Sequence, residues 1–150
     1  GVILKNAGID CNEIEVKSNE VFFLRDNQLI FPVVTKDRLV KKADGWALDI
    51  YVFSPRPLDD LLIEPNMPKL TLVVKAKECQ LAINDKAYTA ASQNRHEATY
   101  KELPLLQGWN KISIKIGERD KNEFSGNFRC DNRNEFLSSL KVMFINPEAK

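Results

Sequence analysis

The chain holds a single histidine, His96, and with Ser92 and Glu97 close by, the three side-chain types of a serine-hydrolase triad fall within one short stretch. Such a triad needs a base that takes the hydroxyl proton and a carboxylate that orients the imidazole, so the three groups must converge in space. Neighbours on one polar loop are more often simply solvated, and the stretch lacks the G-x-S-x-G turn that lifts a nucleophile off a sheet. A small hydrolase therefore stands third among the functional readings. The pair Asp59 and Asp60 would act as glycosidase carboxylates only if held about 5–10 Å apart across a cleft. Adjacent loop residues point apart, and a solvated turn is expected there.

Metal and redox chemistry is equally sparse. Asp10, Asn12 and Glu13 offer hard oxygen ligands, but without the ordered spacing of a calcium loop. Cys11, Cys79 and Cys130 lie far apart with no C-x-x-C pair, so neither a zinc site nor a dithiol is suggested. Cys79 shares parity with Leu81 and Ile83 and reads as a buried thiol acting as a small hydrophobe.

Sugar recognition asks for an exposed aromatic ring to stack on a pyranose, with amides, Arg or Asp fixing the hydroxyls. Trp46 shares a face with Leu48 and Ile50, and Trp109 sits in a turn at a strand entrance, so both tryptophans are expected in the core. Tyr51, Tyr88 and Tyr100 are left as the exposed aromatics. Donors and acceptors concentrate in two loops, one carrying Ser92, Gln93, Asn94, Arg95 and His96, the other Arg129, Asp131, Asn132 and Arg133. The expected ligand set is thus Tyr51, Tyr100, Gln93, Asn94, Arg95, His96, Arg129, Asp131, Asn132 and Arg133, set against the plainer reading of two solvated loops.

Strands must position these loops. Lys111-Ile112-Ser113-Ile114-Lys115-Ile116 alternates polar and apolar without a fault, as a strand with one wet face does. Trp46, Leu48, Ile50 and Val52 share one face of a second strand, Leu70, Leu72, Val74 and Ala76 of a third, and Ile14 and Val16 alternate with charged neighbours. Residues 21–34 read as a hairpin around Arg25-Asp26-Asn27, and residues 123–130 and 140–145 as two more strands. Asn132 with Glu135 three positions on could cap one short helical turn ending near Leu140. The prolines cluster in loops such as Ser54-Pro55-Arg56-Pro57 and Glu64-Pro65-Asn66-Met67-Pro68. Nine or ten short strands with turns between them predict an all-β antiparallel sandwich of jelly-roll type, one domain over residues 1–150 with 1–12 as an extended arm.

Composition sets the outer limits. With 150 residues, 43% hydrophobic and 29% charged, the chain can bury a core of its own. Lys plus Arg number 22 against 21 Asp plus Glu, a net charge of +1, which gives no field to hold a nucleic-acid backbone. No apolar run reaches the roughly 18 residues of a membrane span, and no signal peptide is present. Gly1 in place of an initiator Met suggests a piece trimmed from a longer precursor.

Two segments carry a family resemblance. Cys79-Gln80-Leu81-Ala82-Ile83-Asn84-Asp85-Lys86-Ala87-Tyr88 reads as strand, tight turn, strand, with Asn84-Asp85 suited to positive φ. Some twenty residues later, Leu105-Leu106-Gln107-Gly108-Trp109-Asn110-Lys111-Ile112 reads as a glycine turn and an asparagine leading into the cleanest strand. This pairing resembles the galactose-binding-like jelly rolls attached to glycoside hydrolases and polysaccharide lyases, which carry an Asn-Gly hairpin followed by an L-x-x-G-x-N-x-I segment. The likeness spans residues 45–147 and departs at Asp85, where the family has glycine. It implies a non-catalytic carbohydrate-binding or structural accessory module of a glycan-degrading system, secreted or periplasmic. Its partners would be a glycan or a neighbouring catalytic domain, with no cofactor beyond an optional structural calcium. A protein-interaction or adhesion sandwich is the alternative.

Overall fold

The alternating segments form strands throughout the computed structural model, which describes residues 2–4, 11–14, 22–31, 34–35, 39–58, 67–117 and 123–144. In chain order the strands are β1 (Val2–Leu4), β2 (Cys11–Ile14), β3 (Phe23–Arg25), β4 (Gln28–Ile30), β5 (Val34–Thr35), β6 (Val40–Lys42), β7 (Gly45–Ser54) and β8 (Thr71–Val74). They continue as β9 (Cys79–Ile83), β10 (Lys86–Tyr88), β11 (Ser92–Gln93), β12 (Ala98–Tyr100), β13 (Gly108–Gly117), β14 (Glu123–Phe124), β15 (Gly126–Arg129) and β16 (Lys141–Phe144). A 3-10 helix, Asn134–Ser139, precedes β16.

Twelve of these strands make two six-stranded antiparallel sheets packed as a sandwich. The first runs β10-β9-β13-β7-β16, with β6 also on β7; the second runs β11-β12-β8-β15-β4-β3. Two short pairs, β1 with β2 and β14 with β5, complete the pattern. The residues expected as an extended arm thus include β1, which pairs with β2 through Val2↔Ile14 and Leu4↔Cys11.

Register explains the core. β13 pairs with β7 from Gly108↔Ser54 to Gly117↔Gly45, so Ile112, Ile114 and Ile116 line up with Ile50, Leu48 and Trp46 on one face. Leu81 and Ile83 of β9 join them from the other side. Against this face the second sheet sets Leu72, Val74, Ala98, Tyr100, Phe128 and Leu29, all in one apolar cluster. The period-two strand at residues 111–116 is buried at every second position, as its alternation predicts. β8 differs, being buried at all four positions, so Thr71 and Val73 are enclosed on the outer side as well.

Two hairpins turn through left-handed pairs. Asp26 (φ 51°) and Asn27 (φ 61°) join β3 to β4, and Asn84 (φ 50°) and Asp85 (φ 70°) join β9 to β10. Two successive positive φ values match the twist of the flanking strands, and Asn and Asp bear them at lower cost than other non-glycine residues. Asp85 closes this turn at positive φ, and its carboxylate meets Lys111 Nζ at 2.8 Å.

The resemblance rested on Asn84 and Asn110, and the structure joins them. Asn84 Nδ2 donates to Asn110 Oδ1 at 3.0 Å, while Asn84 Oδ1 accepts from the Lys111 backbone N–H at 2.9 Å. Asn110, fully buried, also accepts from the Leu106 N–H at 2.8 Å and donates to the carbonyls of Leu106, Gly108 and Val52. Gly108 enters this corner at φ 97°, a conformation that L side chains rarely adopt. One amide thereby fastens a turn, a hairpin and two neighbouring strands.

Two buried protons respond to alkali. Burial raises the Tyr100 phenol well above its ordinary value of 10, helped by the neighbouring Cys79 side chain, and burial likewise raises the Cys130 thiol above 9.0. Both groups keep their protons in the folded chain at a pH where the unfolded chain releases them. Their contribution is complete below about pH 9 and diminishes as pH rises beyond that. The urea midpoint is expected to fall between pH 8 and pH 10.5, and to fall less in Tyr100→Phe. A midpoint that holds level in the parent chain would contradict this.

Candidate functional site

The two loops expected to form one site lie at opposite ends of β8. Ala98↔Val74 and Arg129↔Thr71 fix the strand directions, so the turn before β12 faces the Ala76 end and the segment after β15 faces the Lys69 end. Gln93 Nε2 donates to the Ala76 carbonyl at 3.2 Å, whereas Asn132 Nδ2 donates to the Met67 carbonyl at 2.9 Å.

In the first loop the amides hold the turn itself. Asn94 Oδ1 accepts from the N–H groups of His96 (2.7 Å) and Glu97 (2.9 Å), an Asx-type turn, and Gln93 Nε2 also donates to the carbonyls of Asn94 and Glu97. Glu97 pairs with Lys75. Arg95 and His96 project into solvent, and Ser92 lies on the edge strand β11 paired opposite Thr99. The Glu97 carboxylate, which would orient the imidazole in a triad, is bound instead to Lys75.

Both tyrosines of the expected set are corrected. Tyr100 is only 2% exposed, because its register opposite Leu72 turns it into the core. Tyr51 does lie on the outer face of the first sheet, yet it is 6% exposed, set mid-sheet between Lys111 and Met143. Tyr88 is half-buried against the core. The tryptophans divide. Trp46 packs on the core with Lys41 Nζ 4.7 Å from its ring centre. Trp109 does not, because Asn110 takes the inward position and parity turns Trp109 outward against Phe53. Cys79 is half-buried against the core and Cys130 fully buried. Asp10, Asp59 and Asp60 lie outside the described residues, as do the side chains of Asn12 and Glu13. Among the described residues no group of three or more His, Cys, Asp or Glu side chains is placed to hold a metal ion, and no helix is long and apolar enough to cross a membrane.

The second loop borders a real concavity. A depression of about 290 Å³ lies between the β3–β4 turn and the 3-10 helix, lined by Leu24, Arg25, Asp26, Asn27, Asn134, Glu135, Leu137 and Ser138. The turn supplies a guanidinium, a carboxylate and an amide; the helix supplies a second amide, a second carboxylate and a hydroxyl. Leu137 is buried beneath them, while Leu24 is 53% exposed at the rim. Arg25 Nε stands 3.8 Å from Asp26 Oδ2, and Arg133 Nε donates to Glu135 Oε1 at 2.6 Å. That hydrogen bond lowers the Glu135 carboxyl below its ordinary value. Sequence reading reached Arg129 to Arg133 but missed the turn across from it. An exposed Leu24 beside a charged tip was the available signal.

Asn132 has a structural task. It does not cap the helix, whose N-cap is Arg133; its Oδ1 instead accepts from the Lys69 N–H at 2.9 Å. With its bond to Met67 it pins the incoming strand, and this competes with capping for the same short side chain. Asn132→Ala is expected to cost about 1–2 kcal/mol, since solvent can replace the amide at the exposed Lys69 N–H but less readily at the part-buried Met67 carbonyl. Urea denaturation checks the loss, and an unchanged midpoint would count against the pin. Arg129 Nε lies 3.7 Å from Asp131 Oδ1.

A smaller niche of about 60 Å³ sits between Asp44, Glu78, Cys79 and Lys115 on the first sheet. Asp44 is hydrogen-bonded to Lys115, which holds its carboxyl below the ordinary range. Its volume suits water rather than a sugar.

These features define an all-β sandwich with a shallow polar depression beside the β3–β4 turn. No protein-family model, curated protein or solved structure matches the chain.

Proposed function

We propose that the chain is a non-catalytic docking module, a carbohydrate-binding or structural accessory domain of a secreted or periplasmic glycan-degrading system, similar to the galactose-binding-like jelly rolls. The observation that carries this reading is the 290 Å³ depression, whose wall mixes amides, carboxylates, a guanidinium and a hydroxyl around two leucines. Saccharides present hydroxyls in fixed directions together with apolar C–H faces, and such a wall answers both. The charged groups are engaged with one another in Arg25–Asp26 and Arg133–Glu135. The Asn84–Asn110 corner adds support through the fold resemblance.

The test is a glycan array followed by calorimetry on the parent chain, Arg25→Ala and Asn134→Ala. Binding weakened about tenfold by either change is expected from loss of one charged or bidentate contact. Absence of saccharide binding by the parent chain would overturn the reading.

A second reading has its own observation. Among the described residues β3 ends the second sheet, and its Phe23 (45%) and Leu24 (53%) are exposed on opposite sides of that edge strand. Strand addition by a protein partner uses such an edge. A pull-down partner lost on Leu24→Lys, in a chain that binds no glycan, would favour it.

A further inference from the structure

None of the eight described residues that line the 290 Å³ depression is aromatic. Stacking on a ring, expected from the sequence, therefore has no platform there. Leu24 at the rim supplies the accessible apolar surface, since Leu137 beneath it is buried. The volume falls at the low end of the range for ligand pockets, about 300–1,000 Å³, so the space suits a short chain of sugars.

Two amides line it from different walls, Asn27 from the left-handed pair of the β3–β4 turn and Asn134 from the first residue of the helix. Each amide both donates and accepts, as a sugar hydroxyl does. Ser138 Oγ gives its proton to the Glu135 carbonyl at 2.8 Å and keeps its lone pairs for a ligand hydroxyl. The charges at the depression come in opposed pairs, Arg25 Nε 3.8 Å from Asp26 Oδ2 and Arg133 Nε 2.6 Å from Glu135 Oε1. An anionic ligand would meet the Asp26 and Glu135 carboxylates, and a cationic one the two guanidiniums; a neutral one leaves both pairs as they are. These pairs are exposed, so the bias they impose is severalfold and not absolute.

We infer that the depression selects short neutral oligosaccharides, held by hydrogen bonds to Asn27 and Asn134 without a stacked ring, and that these two amides determine its specificity. This rests on the saccharide-binding reading above and adds the substrate class and the residues that choose it. Chains containing uronates are disfavoured because their carboxylates would lie against Asp26 and Glu135.

The test is a glycan array carrying disaccharides and trisaccharides of galactose, glucose and mannose beside those of galacturonate and glucuronate. It is applied to the parent chain, Asn134→Ala and Asn27→Gly, the glycine being chosen because it keeps the positive φ of the turn while removing the amide. Binding is expected on neutral members, at least about threefold tighter than on the uronates. Each variant should weaken it about tenfold, with circular dichroism confirming that both fold. Calorimetry on the strongest neutral member should give the same affinity at about 0.05 and 0.5 M salt, since no charge is neutralised on binding. If the uronates bind more tightly than the neutral sugars, this inference is overturned and the broader reading stands. Neutral binding that both variants retain, or that falls steeply with salt, would overturn it equally, because the sugar would then be held by other groups. A blank array would overturn both.

Discussion

Replacing Asn110 with alanine is expected to destabilise the chain by about 3–5 kcal/mol, because several buried backbone groups lose their partner at once. Five hydrogen bonds end on this amide, and the side chain is fully buried. Little water can reach the Val52 and Gly108 carbonyls to replace it. The loss is a large share of the roughly 5–15 kcal/mol that holds a domain folded. Asn110→Asp sharpens the test, since it keeps the shape but sets an ionised acceptor against three carbonyl oxygens. It should be worse than alanine at neutral pH and should recover as pH falls, because burial and the carbonyls raise its carboxyl and favour the protonated form. Urea denaturation of both variants at pH 5 and pH 8 provides the measurement. A loss below about 1 kcal/mol in Asn110→Ala would mean that the corner is held by other bonds.

Phe128→Ala is the second large effect, at about 3–5 kcal/mol from lost transfer energy and the cavity left behind. Phe128 has no exposed surface; it lies in register between Leu29 and Leu72 and meets Phe31 edge to face at 5.3 Å. The aromatic contact adds about 0.5–1.5 kcal/mol beyond area burial. At 2–4 °C per kcal/mol, the melting temperature should drop by about 6–20 °C. The denaturant slope should stay constant, since the same surface is exposed on unfolding. Phe128→Leu should lose far less. Equal losses in the two variants would argue against a cavity as the cause.

The alternation at residues 111–116 and 46–52 named its own buried face correctly because side-chain direction along a strand is a local property. Both left-handed hairpins were equally legible, since the residues that tolerate positive φ are few. Exposure was harder to read. Tyr51 has the outward parity read for it and is buried all the same, whereas Trp109 was read inward and points out. Asn132 carries a plausible capping spacing but bonds Met67 and Lys69, more than sixty residues away in the chain.

Local pattern by itself determined the all-β class, the strand faces and the turns, each set by steric and solvation rules acting over a few residues. Pairing between distant strands decided everything that could serve as a site. Register set Trp109 beside Phe53, parted the loops at Arg95 and Asn132, and brought Leu24–Asn27 across from Asn134 and Glu135. Those juxtapositions depend on which strands meet and in what alignment, a property of the whole packed sandwich that no short stretch of sequence encodes.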